Sequence, residues 1–96
     1  MKIEITDRAR KWFEDEVGIG KGDSVRFFGK YGGSSPIQTG FSIGIELTAP
    51  QLPLGSIEVD GVTYFVEEAD EWYFRGHDLK VDYDETLDEP SYEYIS

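Results

Sequence analysis

The cleanest pattern in the chain is the alternation from Phe41 to Leu47. Phe41, Ile43, Ile45 and Leu47 fall on one side, and Ser42, Gly44 and Glu46 on the other. A period of two sets one apolar row against a core and leaves a thin polar row outside, as in a half-buried strand. Ser24 to Tyr31 predicts a second strand, with Val25 and Phe27 on one face and Arg26, Phe28 and Lys30 on the other. Aromatic side chains on both faces imply cover on each side of the sheet. Ile57 and Val59, then Asp60-Gly61, then Val62, Tyr64 and Val66 predict a hairpin, because Asp-Gly suits the two positive φ angles of a type I′ turn. Leu79, Val81 and Tyr83 alternate with Lys80, Asp82 and Asp84 as a last strand, and Ile3 and Ile5 alternate with Lys2 and Glu4 as a short first one.

The period changes to that of a helix after Thr6. Ala9, Trp12, Phe13 and Val17 form one apolar stripe over about three turns. Thr6 is a ready N-cap, Asp7 suits the positive end of the helix dipole, and Gly18 is the expected left-handed stop. Glu68 to Phe74 predicts a shorter helix, with Ala69, Trp72 and Tyr73 toward the sheet and Gly76 ending it. Pro50 and Pro53 make Thr48 to Leu54 an extended connection. From Glu85 onward the chain is acidic, aperiodic and interrupted by Pro90, so residues 85–96 are expected to be a loosely held tail. The whole reads as one α+β domain over residues 1–96: a mostly antiparallel sheet with one N-terminal helix and one short helix.

Between the two central strands, Gly29 to Gly44 holds five of the eleven glycines. That density predicts a long surface connection, the kind of segment on which binding residues are often carried. Backbone N–H groups at Gly32, Gly33, Ser34 and Ser35, with Lys30 beside them, offer an anion a cradle. The glycine spacing fits neither a P-loop nor a dinucleotide fingerprint, and a strand follows where a helix would be needed. A plain hairpin connection is the simpler reading.

Charge changes the picture of possible partners. Residues 1–56 carry seven acids and seven bases, whereas residues 57–96 carry thirteen acids against Arg75 and Lys80. The whole net charge of −11 therefore belongs to the C-terminal part. Nucleic acid and anionic membrane are poor partners for such a field; a basic protein surface or a cation suits it better, and plain solubility is the simpler reading. The chain has no cysteine, which removes disulfides, thiolate metal sites and cysteine nucleophiles. No apolar run approaches a membrane span, and Met1 to Asp7 lacks the apolar core of a signal peptide, so a cytoplasmic location is expected.

Few residues carry recognisable chemistry. His77 is the single histidine and Asp78 follows it; with Asp82 or Asp84 they are the only candidate set for iron or another transition metal. Asp82 to Glu93 imitates a calcium loop, but Leu87 stands where that loop needs glycine, and a strand precedes it instead of a helix. Glu67, Glu68, Asp70 and Glu71 surround Trp72, Tyr73 and Phe74. The acids suit a helix start better than paired acid–base catalysis, and three adjacent aromatics cannot all face inward.

In order and motif, the chain resembles the HesB/IscA-like family, the A-type iron–sulfur biogenesis domain. The residues that carry the likeness are Ile5-Thr6-Asp7-Arg8-Ala9 at the helix start, Val25-Arg26-Phe27 followed by Tyr31-Gly32-Gly33-Ser34-Ser35, Gly40-Phe41-Ser42, and Gly61-Val62. Phe27 to Gly33 and Asp70 to Phe74 are similar to a YneR-type branch that lacks the cluster-ligand cysteines. The resemblance implies a HesB-like fold. It also places Ser34 where a cluster carrier has its loop cysteine, and Pro90-Ser91-Tyr92-Glu93-Tyr94 near its C-terminal cysteines. Without thiolates an iron–sulfur cluster is not expected, and no other cofactor is implied. The expectation is a non-enzymatic protein-binding or oligomeric scaffold. Iron alone at His77 and carboxylates, or a small molecule or anion in the 29–40 stretch, are its alternatives.

Overall fold

A computed structural model describes all residues, Met1 to Ser96. Its strands are β1 (Ile3–Ile5), β2 (Ser24–Ser34), β3 (Thr39–Leu47), β4 (Pro53–Val59), β5 (Val62–Glu67), β6 (Asp78–Asp84) and β7 (Glu89–Ile95). They form two sheets rather than the one expected: a four-stranded sheet ordered β3-β2-β5-β4 and a three-stranded sheet ordered β1-β6-β7. The split follows from burial. Val25, Phe27, Val62, Tyr64 and Val66 make one apolar face and Ile3, Leu79 and Val81 another, and each needs the other as cover. Most pairings are antiparallel, but β1 pairs with β6, and β2 with β5, in parallel, so each sheet is mixed.

Helix α1 (Asp7–Trp12) starts as the sequence predicts. Thr6 is extended and its hydroxyl accepts the Ala9 N–H at 3.2 Å. Phe13–Val17 then widens into a π-helical segment, closed by a bond from the Gly18 N–H to the Phe13 carbonyl, with Gly18 left-handed at φ 80°. The stripe buries Ala9 and Phe13 completely, and Phe13 meets Phe27 and Tyr64 edge-on at 5.9 Å. The Asp60-Gly61 turn has the two positive φ angles its sequence calls for, 52° and 79°. A short 3₁₀ turn (Glu68–Asp70) leads into α2 (Glu71–Phe74), which ends at left-handed Arg75.

Two expectations fail. The glycine-rich stretch is not a long loop, because β2 runs on to Ser34 and β3 starts at Thr39, leaving only residues 35–38 as the turn. Its glycines serve the strands instead. Gly32 and Gly33 take positive φ in a bulge of β2, and Gly29 and Gly44 leave room for the rings of Tyr73 and Phe28. Nor are residues 85–96 a loose tail. Glu89–Ile95 is strand β7, paired with all of β6 from Asp78↔Ile95 to Asp84↔Glu89. Tyr92 and Tyr94 alternate with Ser91 and Glu93 and pack on the core, an apolar row of only two aromatics that the surrounding charge hides.

Candidate functional site

Helix α2 is where the distal β2–β3 hairpin and β7 meet. Gly29 lies under the Tyr73 ring so closely that an added Cβ would sit 2.5–2.6 Å from its carbons. The Tyr73 hydroxyl is 2.7 Å from that of Tyr94, and the two rings meet edge-on at 6.0 Å. From the hairpin turn, the Gln38 side-chain amide donates to the Trp72 carbonyl at 3.0 Å. Tyr73 and Phe74 are fully buried and Trp72 is 46 % exposed, which resolves the three adjacent aromatics into two inward and one outward.

Trp72 joins a surface cluster. Its ring meets Phe41 at 5.0 Å, and Phe41 meets Tyr31 at 5.8 Å, both edge-on. Tyr31 is 90 % exposed. It shares the inward side of β2 with Val25, Phe27 and Gly29, but it lies beyond the reach of the second sheet. An aromatic with so much free surface, at the end of a row of three, has the composition of an interface anchor. The sequence pattern puts Tyr31 at the end of a strand, where the glycine-rich stretch begins, and Phe41 on a core-facing row. The available signal was the Gly32-Gly33 pair directly after Tyr31, which marks where regular cover ends.

The other candidates are not brought together. Lys30 lies on the opposite face of β2 from Tyr31, with its stem over Gly44. The Ser35 hydroxyl accepts the Gln38 N–H at 3.2 Å, so it serves the turn. Surface depressions lie beside Trp12, Arg26, Leu47 and Leu79, and none of these four is lined by Lys30, Gly32, Gly33, Ser34 or Ser35. His77 sits at the far end of α2 with Nδ1 2.8 Å from the Phe74 carbonyl, and Asp78 accepts the Lys2 N–H at 2.8 Å. No three His, Asp or Glu side chains converge in a group that suits a metal ion. Of the acids of the mock calcium loop, Asp84 caps the turn by accepting from the N–H groups of Thr86 and Leu87, and Asp82 accepts from the Tyr83 N–H.

The acids beside α2 are equally committed. Asp70 is buried and accepts two bonds from Arg26, at 2.7 and 3.0 Å, tying α2 to the outer face of β2. Glu67 accepts the N–H groups of Gln51 and Leu52, and Glu71 that of Gly76. Three of the four carboxylates are held by structural donors, an arrangement that suits anchoring rather than a paired acid–base site.

The positions that the HesB/IscA resemblance assigns to cluster ligands hold hydroxyls. Ser34 is exposed at the end of β2. In the C-terminal stretch, burial pushes the Tyr92 phenol up, helped by Glu89. Burial and then the bond to Tyr73 push that of Tyr94 up. Both phenols are therefore protonated at neutral pH and are not anionic ligands. These residues do not fit an iron–sulfur cluster.

Relatives place this surface in context. The chain is similar to a protein of Bacillus subtilis named pyruvate dehydrogenase inhibitor, 48% identical over 94 residues that cover 98% of this chain and 99% of the relative. An uncharacterised protein of Staphylococcus saprophyticus is 35% identical, covering 96% of this chain and 97% of that one. Another from Staphylococcus haemolyticus is 31% identical over 91% of this chain and 94% of its own length. No protein-family model matches the chain, and no solved structure does.

Proposed function

The chain belongs to the family that contains the Bacillus subtilis pyruvate dehydrogenase inhibitor, and from that premise we propose that it is a non-enzymatic regulator that binds pyruvate dehydrogenase and lowers its activity. The observation that carries the reading is the exposed Tyr31–Phe41–Trp72 cluster, in a chain aligned with that relative over nearly its whole length. Inhibition by a small protein without a reactive centre requires occupation of a surface, and rigid aromatics held by their neighbours lose little entropy on docking. Trp72 packs edge-on against buried Tyr73, which in turn covers Gly29, and its carbonyl accepts from Gln38, so one end of the cluster is fixed to the packed frame.

The HesB/IscA-like frame without ligand cysteines remains part of this proposal. The order strand, helix, four strands, short helix and two strands supports it, as do the motifs around Ser34 and Trp72. On this reading a fold related to cluster carriers has kept its protein-binding role and given up its cargo.

Titrating purified Bacillus subtilis pyruvate dehydrogenase complex with the intact chain tests the proposal. Activity is expected to fall saturably as the chain is added. Tyr31→Ala combined with Trp72→Ala should weaken inhibition by about 30-fold, the loss typical of removing central aromatic anchors. A complex that keeps full activity under a large excess of the chain would sink the reading.

A further inference from the structure

Each of the two sheets has two edge strands, and three of these four edges carry features that hinder pairing with another chain. β1 is three residues long. β4 starts at Pro53, slips register between Pro53 and Gly55, and carries Glu58. β7 carries Glu89, Pro90 and Glu93. The fourth, β3, has no such device. From Phe41 to Leu47 it keeps one register with β2, contains no proline, and carries Glu46 as its sole charge. The irregularity in that hairpin lies where Gly32 and Gly33 of β2 face Gly40, outside this segment. A long, flat, weakly charged edge is a template for another strand.

We propose that a second copy of this chain occupies the β3 edge, antiparallel to the first about a two-fold axis at Gly44, so that two four-stranded sheets become one of eight. The choice of occupant rests on self-complementarity. Gly44 is the midpoint of the regular segment, and pairing about it sets Phe41 against Leu47 of the other copy, Ile43 against Ile45, and Ser42 against Glu46. Apolar residues meet apolar ones on the core side, and the only charge meets a hydroxyl donor. The pattern reads the same from either copy, which is what a two-fold interface requires. At the axis each glycine lies beneath a Phe28 ring, 2.8 Å from where a Cβ would be. The two Phe28 rings therefore flank the seam on the outer face. Charge agrees: all thirteen acids of residues 57–96 lie outside β2 and β3, so the seam opposes no acidic strands.

Sedimentation equilibrium of the intact chain, without pyruvate dehydrogenase, is the first test, and a dimer is expected. The chain has no cysteine, so introduced ones report alone. Ser42→Cys mixed with Glu46→Cys should give an oxidised heterodimer far in excess of the homodimer from either variant by itself. Ser42→Glu, which opposes two carboxylates at each symmetric pair, should raise the dimer dissociation constant about tenfold, and Ser42→Glu with Glu46→Lys should restore it. Circular dichroism melts check that the variants fold. A monomer at all concentrations, or a dimer whose cross-linking does not prefer the mixed pair, overturns the proposal. So does a monomer whose Ser42→Glu variant instead loses inhibition, because the edge would then belong to the target enzyme.

Discussion

Gly29 is glycine because of Tyr73. Its backbone is ordinary extended strand, yet the ring of Tyr73 occupies the place where a Cβ would stand. Gly29→Ala should cost about 1–3 kcal/mol through overpacking, whereas Gly20→Ala, which meets nothing within 4 Å, should cost far less. Thermal melts of the two variants measure the difference, and equal melting temperatures would refute the packing role. Asp70 teaches a related lesson. Sequence offered it as one acid among four at a helix start, while the structure commits it to Arg26 with most of its surface covered. Both residues were visible in the sequence. Their partners lie 44 positions away, and no local pattern encodes a distance of that kind.

Elements with a strict period were legible and those without one were not. Alternation over Phe41 to Leu47 and over Leu79 to Tyr83, the Thr6 cap and the Asp60-Gly61 turn all stand where the sequence puts them. Strand β7 was not legible, because Pro90 and four acids between Glu85 and Glu93 break its pattern. It forms because β6 offers a full ladder and the second sheet must bury Tyr92 and Tyr94. Deleting residues 89–96 should therefore abolish cooperative unfolding, not trim a tail. A deletion variant with the melting temperature of the intact chain would contradict this. The 29–44 stretch failed in the opposite sense. Its glycines suggested a loop, but they relieve crowding within a long hairpin.

Over the molecule as a whole, the aromatic core sets the response to alkali. Burial raises the phenol of Tyr64 from 10.0 to about 12, with Glu14 adding to it. Its buried hydroxyl has no partner. Tyr92 and Tyr94 are also pushed up, chiefly by burial. A phenol raised in the folded state keeps its proton longer there than in the unfolded chain. Its contribution is full below about pH 10 and is lost as pH rises toward about 12. Melting temperature should thus be level from neutral pH to about 9 and fall steeply between about 10 and 12. The 295 nm phenolate absorbance of these tyrosines should rise together with unfolding. Phenolate formation complete by pH 10 in a chain that is still folded would contradict the burial.

Sequence by itself determined the class of this protein: strands by period two, a capped helix by period 3.6, and the removal of thiol chemistry by composition. It also located the charge, with every excess acid after residue 56. Tertiary structure alone decided that the apolar faces make two sheets, that the acidic end is a strand, and that Tyr31, Phe41 and Trp72 share one surface. The physical reason is the range of each effect. Propensity, capping and alternation act over a few residues, while burial depends on what arrives from elsewhere in the chain. The glycine-rich stretch is the plainest instance. Its conformation reads locally as a loop, and the ring of Tyr73, more than forty residues from Gly29, packs on it as part of a strand.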